Sequence, residues 1–157
     1  MTTQAPNLHE VSEREFVVDL TIHAPPQRVF EAYTQRDQIV KWWAQPGKTM
    51  RVDEMEVRSG GKWRFVHIDG GGQEMMMHGK YELVNPVTRL SYTYNLGEGN
   101  DNEILATVDL RPVEAGTHLT LTNRCKTKAQ LDMMLQYGAR GGAKMALLAL
   151  DAFLRRE

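Results

Sequence analysis

The chain has 157 residues, of which 41% are hydrophobic and 25% charged, with a formal net charge of −1 at pH 7. This length predicts one domain with its own core, and the lack of a basic excess argues against a nucleic-acid or anionic-membrane surface. The single cysteine, Cys125, excludes an internal disulfide and a cysteine-based metal site, which favours a reducing cytoplasm. The N-terminus has neither a basic start nor an apolar run, so we do not expect it to be a signal peptide.

The first third of the chain predicts a strand followed by two short helices. The segment EFVVDLTI, residues 15–22, alternates apolar and polar side chains as a half-buried strand does. The segment APPQRVFEAYTQRDQIVKWW begins with prolines, which suit the first helical turn, and its spacing indicates a break near residues 35–37. We expect residues 1–12 to be disordered or loosely ordered and residues 13–157 to form the domain.

The middle of the chain predicts a run of antiparallel strands. Its joints, SGG, DGGG, NP, GEGN and EAG, are rich in residues that favour hairpin turns. Short connections make neighbouring strands antiparallel. The predicted strands are 48–58, 62–68, 74–84, 88–96, 102–111 and 117–124.

The last segment predicts one long helix from about Thr127 to Arg155. Thr127 and Gln130 have the spacing of a capping box, and no proline follows. The helix carries a wide apolar arc and a narrow polar stripe, which comprises Arg140, Lys144, Asp151 and Arg155. An arc this wide favours a helix wrapped by a curved sheet. The alternative, a flat α+β sandwich, leaves one apolar stripe exposed or in a dimer.

Four motifs carry a family resemblance. The Ala-Pro before the first helix, the Trp-Trp pair, the segment RSGGKWRF and the strand GKY resemble the family related to the C-terminal domain of the activator of the heat-shock-protein-90 ATPase. The resemblance runs from about Phe16 to Leu154. It implies an α+β helix-grip fold of the START and birch-pollen-allergen superfamily, with six to seven antiparallel strands curved around the C-terminal helix. It also implies a cavity between that helix and the sheet.

Small and flexible residues are candidates for lining this cavity. Gly138 and Gly142 are predicted to face the sheet, where glycines either leave space or permit close backbone packing. The chain has nine methionines, and methionine adapts to irregular apolar partners. Met77, Met134 and Met145 are therefore cavity candidates, with ordinary core filling as the alternative.

Aromatic residues are the second group of cavity candidates. We expect Trp43 to face inward with Phe30 and to be mostly buried, and Trp42 to lie nearer the rim. Trp63 and Phe65 are expected to line the sheet side. An indole N–H in an apolar pocket needs an acceptor, which is either the polar end of a ligand or a backbone carbonyl.

The third group is polar. His67 and His78 flank the DGGG turn and are expected on one sheet face, where Tyr92 or Tyr94 could join them. Two histidines without a third ligand make a poor zinc site, so we predict no metal. We also predict no cofactor, and we assign no catalytic residue.

Three functions follow as hypotheses. The first is a domain that binds an apolar or aromatic small molecule in its cavity. The second is a chaperone-linked interaction domain, and the third a cyclase-like enzyme that uses His67, His78 or Tyr92. Met133, Tyr137 and Leu148 lie near the polar stripe of the last helix, and an exposed apolar patch there predicts a weak homodimer.

Overall fold

The computed structural model describes the backbone of residues 7–44 and 47–156, and the side chains from Glu13 onward within these ranges. Its eight strands form one antiparallel sheet in the order β1-β2-β8-β7-β6-β5-β4-β3. The predicted α+β fold, a curved antiparallel sheet with a C-terminal helical segment and two short helices after a strand, is confirmed. The elements are β1 (Asn7–Ser12), β2 (Glu15–Ile22), α1 (Pro26–Thr34), α2 (Arg36–Ile39), β3 (Thr49–Met55), β4 (Lys62–Ile68), β5 (Glu74–Asn85), β6 (Arg89–Leu96), β7 (Ile104–Val113), β8 (Gly116–Arg124), α3 (Lys128–Gln136) and α4 (Ala139–Arg156).

The edge strand β1 was not expected. Residues 7–12 pair antiparallel with β2, with Asn7 opposite Asp19, so the expectation of loose order is wrong for them. The rest of that segment, residues 1–6, lies outside the described residues. Backbone pairing with a free strand edge requires no side-chain alternation, which explains why the sequence pattern did not indicate this strand.

The core lies between the concave face of the sheet and α4. On β2, the side chains of Phe16, Val18, Leu20 and Ile22 are almost fully buried on this face. The buried apolar residues of α4 all lie in its second half, between Leu147 and Leu154. The first half of α4 contributes half-buried alanines, so the helix covers the sheet unevenly along its length. Within the described ranges, no helix is long and apolar enough to cross a membrane.

The predicted single helix is in fact two, so that prediction is wrong. Gly138 has a φ of +91°, a left-handed conformation that ends helices and favours glycine. Its N–H donates to the Leu135 carbonyl at 3.3 Å, and α4 begins at the next residue. The predicted N-cap is confirmed, because the Gln130 N–H donates to the Thr127 hydroxyl at 3.1 Å.

Two glycines near this break should respond in opposite directions to alanine. Gly142 is helical, and a Cβ there would meet nothing within 4 Å. Gly142→Ala should therefore raise the free energy of unfolding by about 0.5–1 kcal/mol. Gly138→Ala should lower it by about 1–2 kcal/mol, because alanine disfavours the left-handed region. Urea denaturation measures both, and two changes of the same sign would contradict the assignment.

The predicted polar stripe of the last helix is wrong at one residue. Asp151 was placed on it, but only 2% of this residue is exposed. Its carboxylate accepts from the His23 backbone N–H at 2.9 Å and from Arg155 Nε at 3.1 Å. The His23 ring nitrogen Nδ1 lies 3.1 Å from the same carboxylate. Asp151 thereby connects α4 to the segment between β2 and α1.

Candidate functional site

Trp43 is the centre of an aromatic cluster on the concave face. Its ring centroid lies between 5.6 and 6.5 Å from those of five neighbours, Tyr33, Trp42, Trp63, Phe65 and Tyr92. Most of these pairs have the edge-on geometry that aromatic rings prefer. Trp43 therefore bridges the two short helices and the inner surface of the sheet.

The three tryptophans differ in their hydrogen bonds. Trp42 Nε1 donates to the Ala32 carbonyl at 2.9 Å, and Trp63 Nε1 donates to the Thr93 carbonyl at 3.1 Å. Both residues are buried, at 3% and 2% exposure. Trp43 is half-buried, and its indole makes no hydrogen bond within the described part of the chain. Among the described residues, Trp43 is thus the tryptophan whose indole N–H has no acceptor.

The expected burial order of the Trp-Trp pair is wrong. Trp43 faces the sheet as expected, but Trp42 is the more buried of the two. Ala32 is in the last turn of α1, where carbonyls lack a helical partner. The turn after α2 brings Trp42 under α1, where its indole satisfies this carbonyl.

The space beside the cluster is very small. It measures about 10 Å³, close to the minimum that holds one water molecule. Four of the predicted cavity residues line it, together with four other apolar or aromatic side chains. The lining residues are Tyr33, Ile39, Trp43, Trp63, Phe65, Tyr81, Leu90 and Tyr92.

Other predicted cavity residues lie at the margin of the core. Phe30, Met77, Tyr94 and Met134 are half-buried and pack against it. Gly142 is also half-buried, and it adjoins open space. Gly138 and Met145 are exposed, Met145 by 48%, so their predicted position facing the sheet is wrong. The break at Gly138 changes the direction of the chain and with it the face that these residues occupy.

Polar groups at this margin are mostly paired. The Tyr94 hydroxyl donates to Asn123 Oδ1 at 3.2 Å, and the Cys125 thiol lies 3.2 Å from Met134 Sδ. Burial raises the pKa of Tyr94 and the pKa of Cys125 above their ordinary values. A thiol with a raised pKa is a poor nucleophile at neutral pH.

The two histidines lie on opposite faces of the sheet, so the prediction of one face is wrong. His67 pairs with Met75, whereas His78 pairs with Arg64, three residues from His67. The turn between β4 and β5 has five residues, 69–73, and side chains alternate along a strand. His67 therefore faces the core, while His78 faces outward and contacts Asn100 at 3.1 Å. Of the residues named for the cyclase-like alternative, His67 and Tyr92 lie on the core side of the sheet and His78 does not.

His67 is a second polar side chain of the concave face that has no partner among the described residues. It is only 5% exposed, and neither ring nitrogen has a hydrogen-bond partner. Burial, and secondarily the charge of Lys48, lowers the pKa of His67 below its ordinary value, so the ring is neutral at pH 7. Met50 on β3 and Met75 on β5 are its direct cross-strand neighbours.

The described residues contain no group of three histidine, cysteine, aspartate or glutamate side chains that could hold a metal ion. Lys48 and Met50 were not among the residues predicted for the site. Strand alternation through the β3–β4 hairpin was the signal that could have placed them beside His67.

Close backbone contacts explain why two glycines of the family motifs are needed. A Cβ on Gly79 would lie 1.8 Å from the Thr93 carbonyl oxygen and 2.9 Å from Trp63 Nε1. A Cβ on Gly61 would lie 1.9 Å from the Glu56 carbonyl oxygen. Both glycines allow β4, β5 and β6 to position the aromatic cluster.

Solved structures with the same fold come from several bacteria. A Rhodobacter sphaeroides protein is 23% identical with a TM-score of 0.91, covering 98% of this chain and 100% of that one. An Arthrobacter aurescens protein is 21% identical with a TM-score of 0.89, covering 99% and 94%. A Mycobacterium smegmatis protein is 19% identical with a TM-score of 0.86, covering 98% and 99%. At these identities the likeness shows the fold alone.

No curated protein matches the chain. A family profile, described as activator of Hsp90 ATPase homolog 1-like protein, matches residues 23–155. That range includes both short helices, the strands β3 to β8 and nearly all of the last helix. The chain therefore belongs to the family of activator of Hsp90 ATPase homolog 1-like proteins.

Proposed function

We propose that this protein binds a small apolar or aromatic molecule on its concave face, against Trp43. The observation that carries the proposal is the state of that side chain. Trp43 contacts five aromatic rings, is half-buried and has an indole N–H without a partner among the described residues. Aromatic surface with a free polar end is the combination that ligand pockets use.

The ligand displaces side chains that now fill the site, because the present space of about 10 Å³ is too small for it. Phe65 forms the buried side of the ligand site, because only 2% of it is exposed. Its ring lies 6.0 Å from that of Trp43, and its cross-strand partner is Met77. Trp43 and Met77 are half-buried, and methionine repacks at low cost. We expect these two side chains to change position when the ligand binds.

The indole N–H resonances test this proposal. In ¹H–¹⁵N spectra the three tryptophans give three such signals, which Trp→Phe variants assign. An apolar or aromatic ligand should shift the Trp43 signal, because that N–H is free. The Trp42 signal should stay in place, because its N–H is held by the Ala32 carbonyl.

Replacement of Trp43 by phenylalanine should then weaken binding at least tenfold and leave the fold intact. Trp42→Phe is the matched control for loss of an indole. If a panel of apolar and aromatic compounds moves no indole signal and leaves the melting temperature unchanged, the proposal is wrong.

A protein-interaction role is the second candidate, and the last two helices favour it. Met133 is 53% exposed, Tyr137 81% and Leu148 37%. Exposed apolar side chains of this kind suit a partner surface. A chaperone as the partner would fit the family description, and a second copy of the chain is the alternative partner. Failure of the ligand panel would favour this interaction role.

We also propose a cytoplasmic location. Cys125 is the single cysteine of the chain, and its thiol is buried with a raised pKa. A fold that uses no disulfide suits a reducing compartment.

A further inference from the structure

We propose that the ligand of this site carries a carboxylate, which Lys48 and His67 hold at the Met50 end of the concave face. The inference rests on the proposed binding function and names the chemical class of the ligand. It begins from two polar side chains that have no partner in the described part of the chain.

His67 supplies a donor inside the apolar surface. Its cross-strand neighbours on both sides are methionines, Met50 and Met75. The imidazole therefore lies between two flexible apolar side chains. Both ring nitrogens are buried and unbonded. A buried polar group without a partner destabilises the fold, and a bound ligand would supply the missing hydrogen bond.

Lys48 supplies the charge. It directly precedes β3 and lies two residues before Met50, which pairs with His67. If the strand alternation extends by this one residue, Lys48 lies on the face of His67. It is half-buried and makes no ion pair or hydrogen bond within the described residues. Its electrostatic effect on the pKa of His67 also indicates that the two groups are near each other.

The nearby acids have contacts of their own. Arg51, on the opposite face of β3, holds Asp53 at 2.7 Å and Glu74 at 3.4 Å. Asp69, in the turn after β4, accepts the backbone N–H groups of Gly71 and Gln73 on its Oδ1, each at 2.9 Å. Lys48 makes no ion pair with any described residue, so its ammonium can bind an anion from outside the chain.

A carboxylate fits these donors better than a larger anion. One ammonium and one ring N–H match its two oxygens, and charge-assisted hydrogen bonds of this kind are the strong ones. The surrounding methionines and the aromatic cluster offer only apolar contact to the rest of the molecule. The expected ligand is thus an aromatic or aliphatic carboxylic acid.

Binding should be coupled to proton uptake. The free His67 is neutral at pH 7, because burial and the charge of Lys48 lower its pKa. Lys48 is the charged group whose field acts on this ring, and Met50 and Met75 face it from β3 and β5. A bound carboxylate favours the protonated ring, so affinity should increase as the pH falls from 8 to 6.

Isothermal titration calorimetry tests the inference with matched probes: 2-naphthoate against 2-naphthylmethanol, and dodecanoate against dodecanol. At least one acid should bind about tenfold or more tightly than its alcohol. Two buffers with different ionisation enthalpies should reveal proton uptake. Lys48→Met and His67→Phe should each reduce the preference for the acid to about twofold or less, while the affinity for the alcohol is kept.

Lys41→Met is the control for general electrostatics, because Lys41 is exposed two residues from Trp43; it should leave the preference unchanged. Equal, Trp43-dependent binding of acid and alcohol would overturn the carboxylate inference and leave the binding function standing. A preference that survives Lys48→Met would also overturn it. Failure of all four probes to bind would reject the carboxylate inference and count against the binding function.

Discussion

Gly79→Ala should lower the free energy of unfolding by about 4 kcal/mol. The new Cβ would lie 1.8 Å from the Thr93 carbonyl oxygen and 2.9 Å from Trp63 Nε1, so β5 and β6 must move apart locally. Overpacking of this kind costs about 1–3 kcal/mol. The Trp63–Thr93 hydrogen bond is lost with it, and a buried indole without an acceptor costs about 1–3 kcal/mol more.

Urea denaturation measures the change, and the Trp63 indole N–H resonance reports the hydrogen bond separately. Gly70→Ala is the matched control. A Cβ on Gly70 would meet nothing within 4 Å, and its φ is not positive, so its effect should stay within about 0.5 kcal/mol. Equal stability of the Gly79 and Gly70 variants would show that β5 and β6 are not packed as described.

Asp151→Ala should lower the free energy of unfolding by about 3 kcal/mol, the cost of breaking a buried charge pair. The variant removes the acceptor of the His23 backbone N–H and of Arg155 Nε. With only 2% of Asp151 exposed, water cannot replace the carboxylate without opening the junction between α4 and β2. Thermal and urea denaturation should agree on the loss.

Asp151→Asn keeps one acceptor oxygen and should cost less than the alanine variant. Asp132→Ala is the control for loss of a helical aspartate. Asp132 pairs with Lys128 at 3.0 Å, but both side chains are 60% exposed, and exposed pairs of this kind contribute about 0.3–0.5 kcal/mol. A loss at Asp151 no larger than at Asp132 would contradict its role in joining the elements.

Local chemistry was enough to predict most elements of the fold. The alternation of residues 15–22 predicts β2 with its observed bounds, and the turn residues between the later strands predict their antiparallel order. The prolines before α1 and the Thr127 cap mark two helix starts. Each of these signals acts over a few neighbouring residues, so a single sequence contains it.

The candidate site was predicted only in part, because it depends on register. The aromatic members of the cluster were identifiable as large apolar side chains near the expected cavity. The pairing of Ile68 with Glu74 across the β4–β5 turn places His67 inward and His78 outward. The predicted strands 62–68 and 74–84 already left these five residues between them, so the error lay in the assumed facing of the two histidines. Lys48 and Met50 were not assigned to the site because the register of the β3–β4 hairpin was not worked out.

The sequence by itself determined the strands β2 to β8 and the two short helices, since periodicity and turn chemistry are local. Tertiary structure decided which surfaces these elements bury and what they contact. It placed Trp42 under the Ala32 carbonyl, left the Trp43 indole without a partner among the described residues, buried Asp151 and turned the chain at Gly138. These outcomes depend on contacts between residues distant along the chain or on one backbone conformation, and no local pattern carries that information.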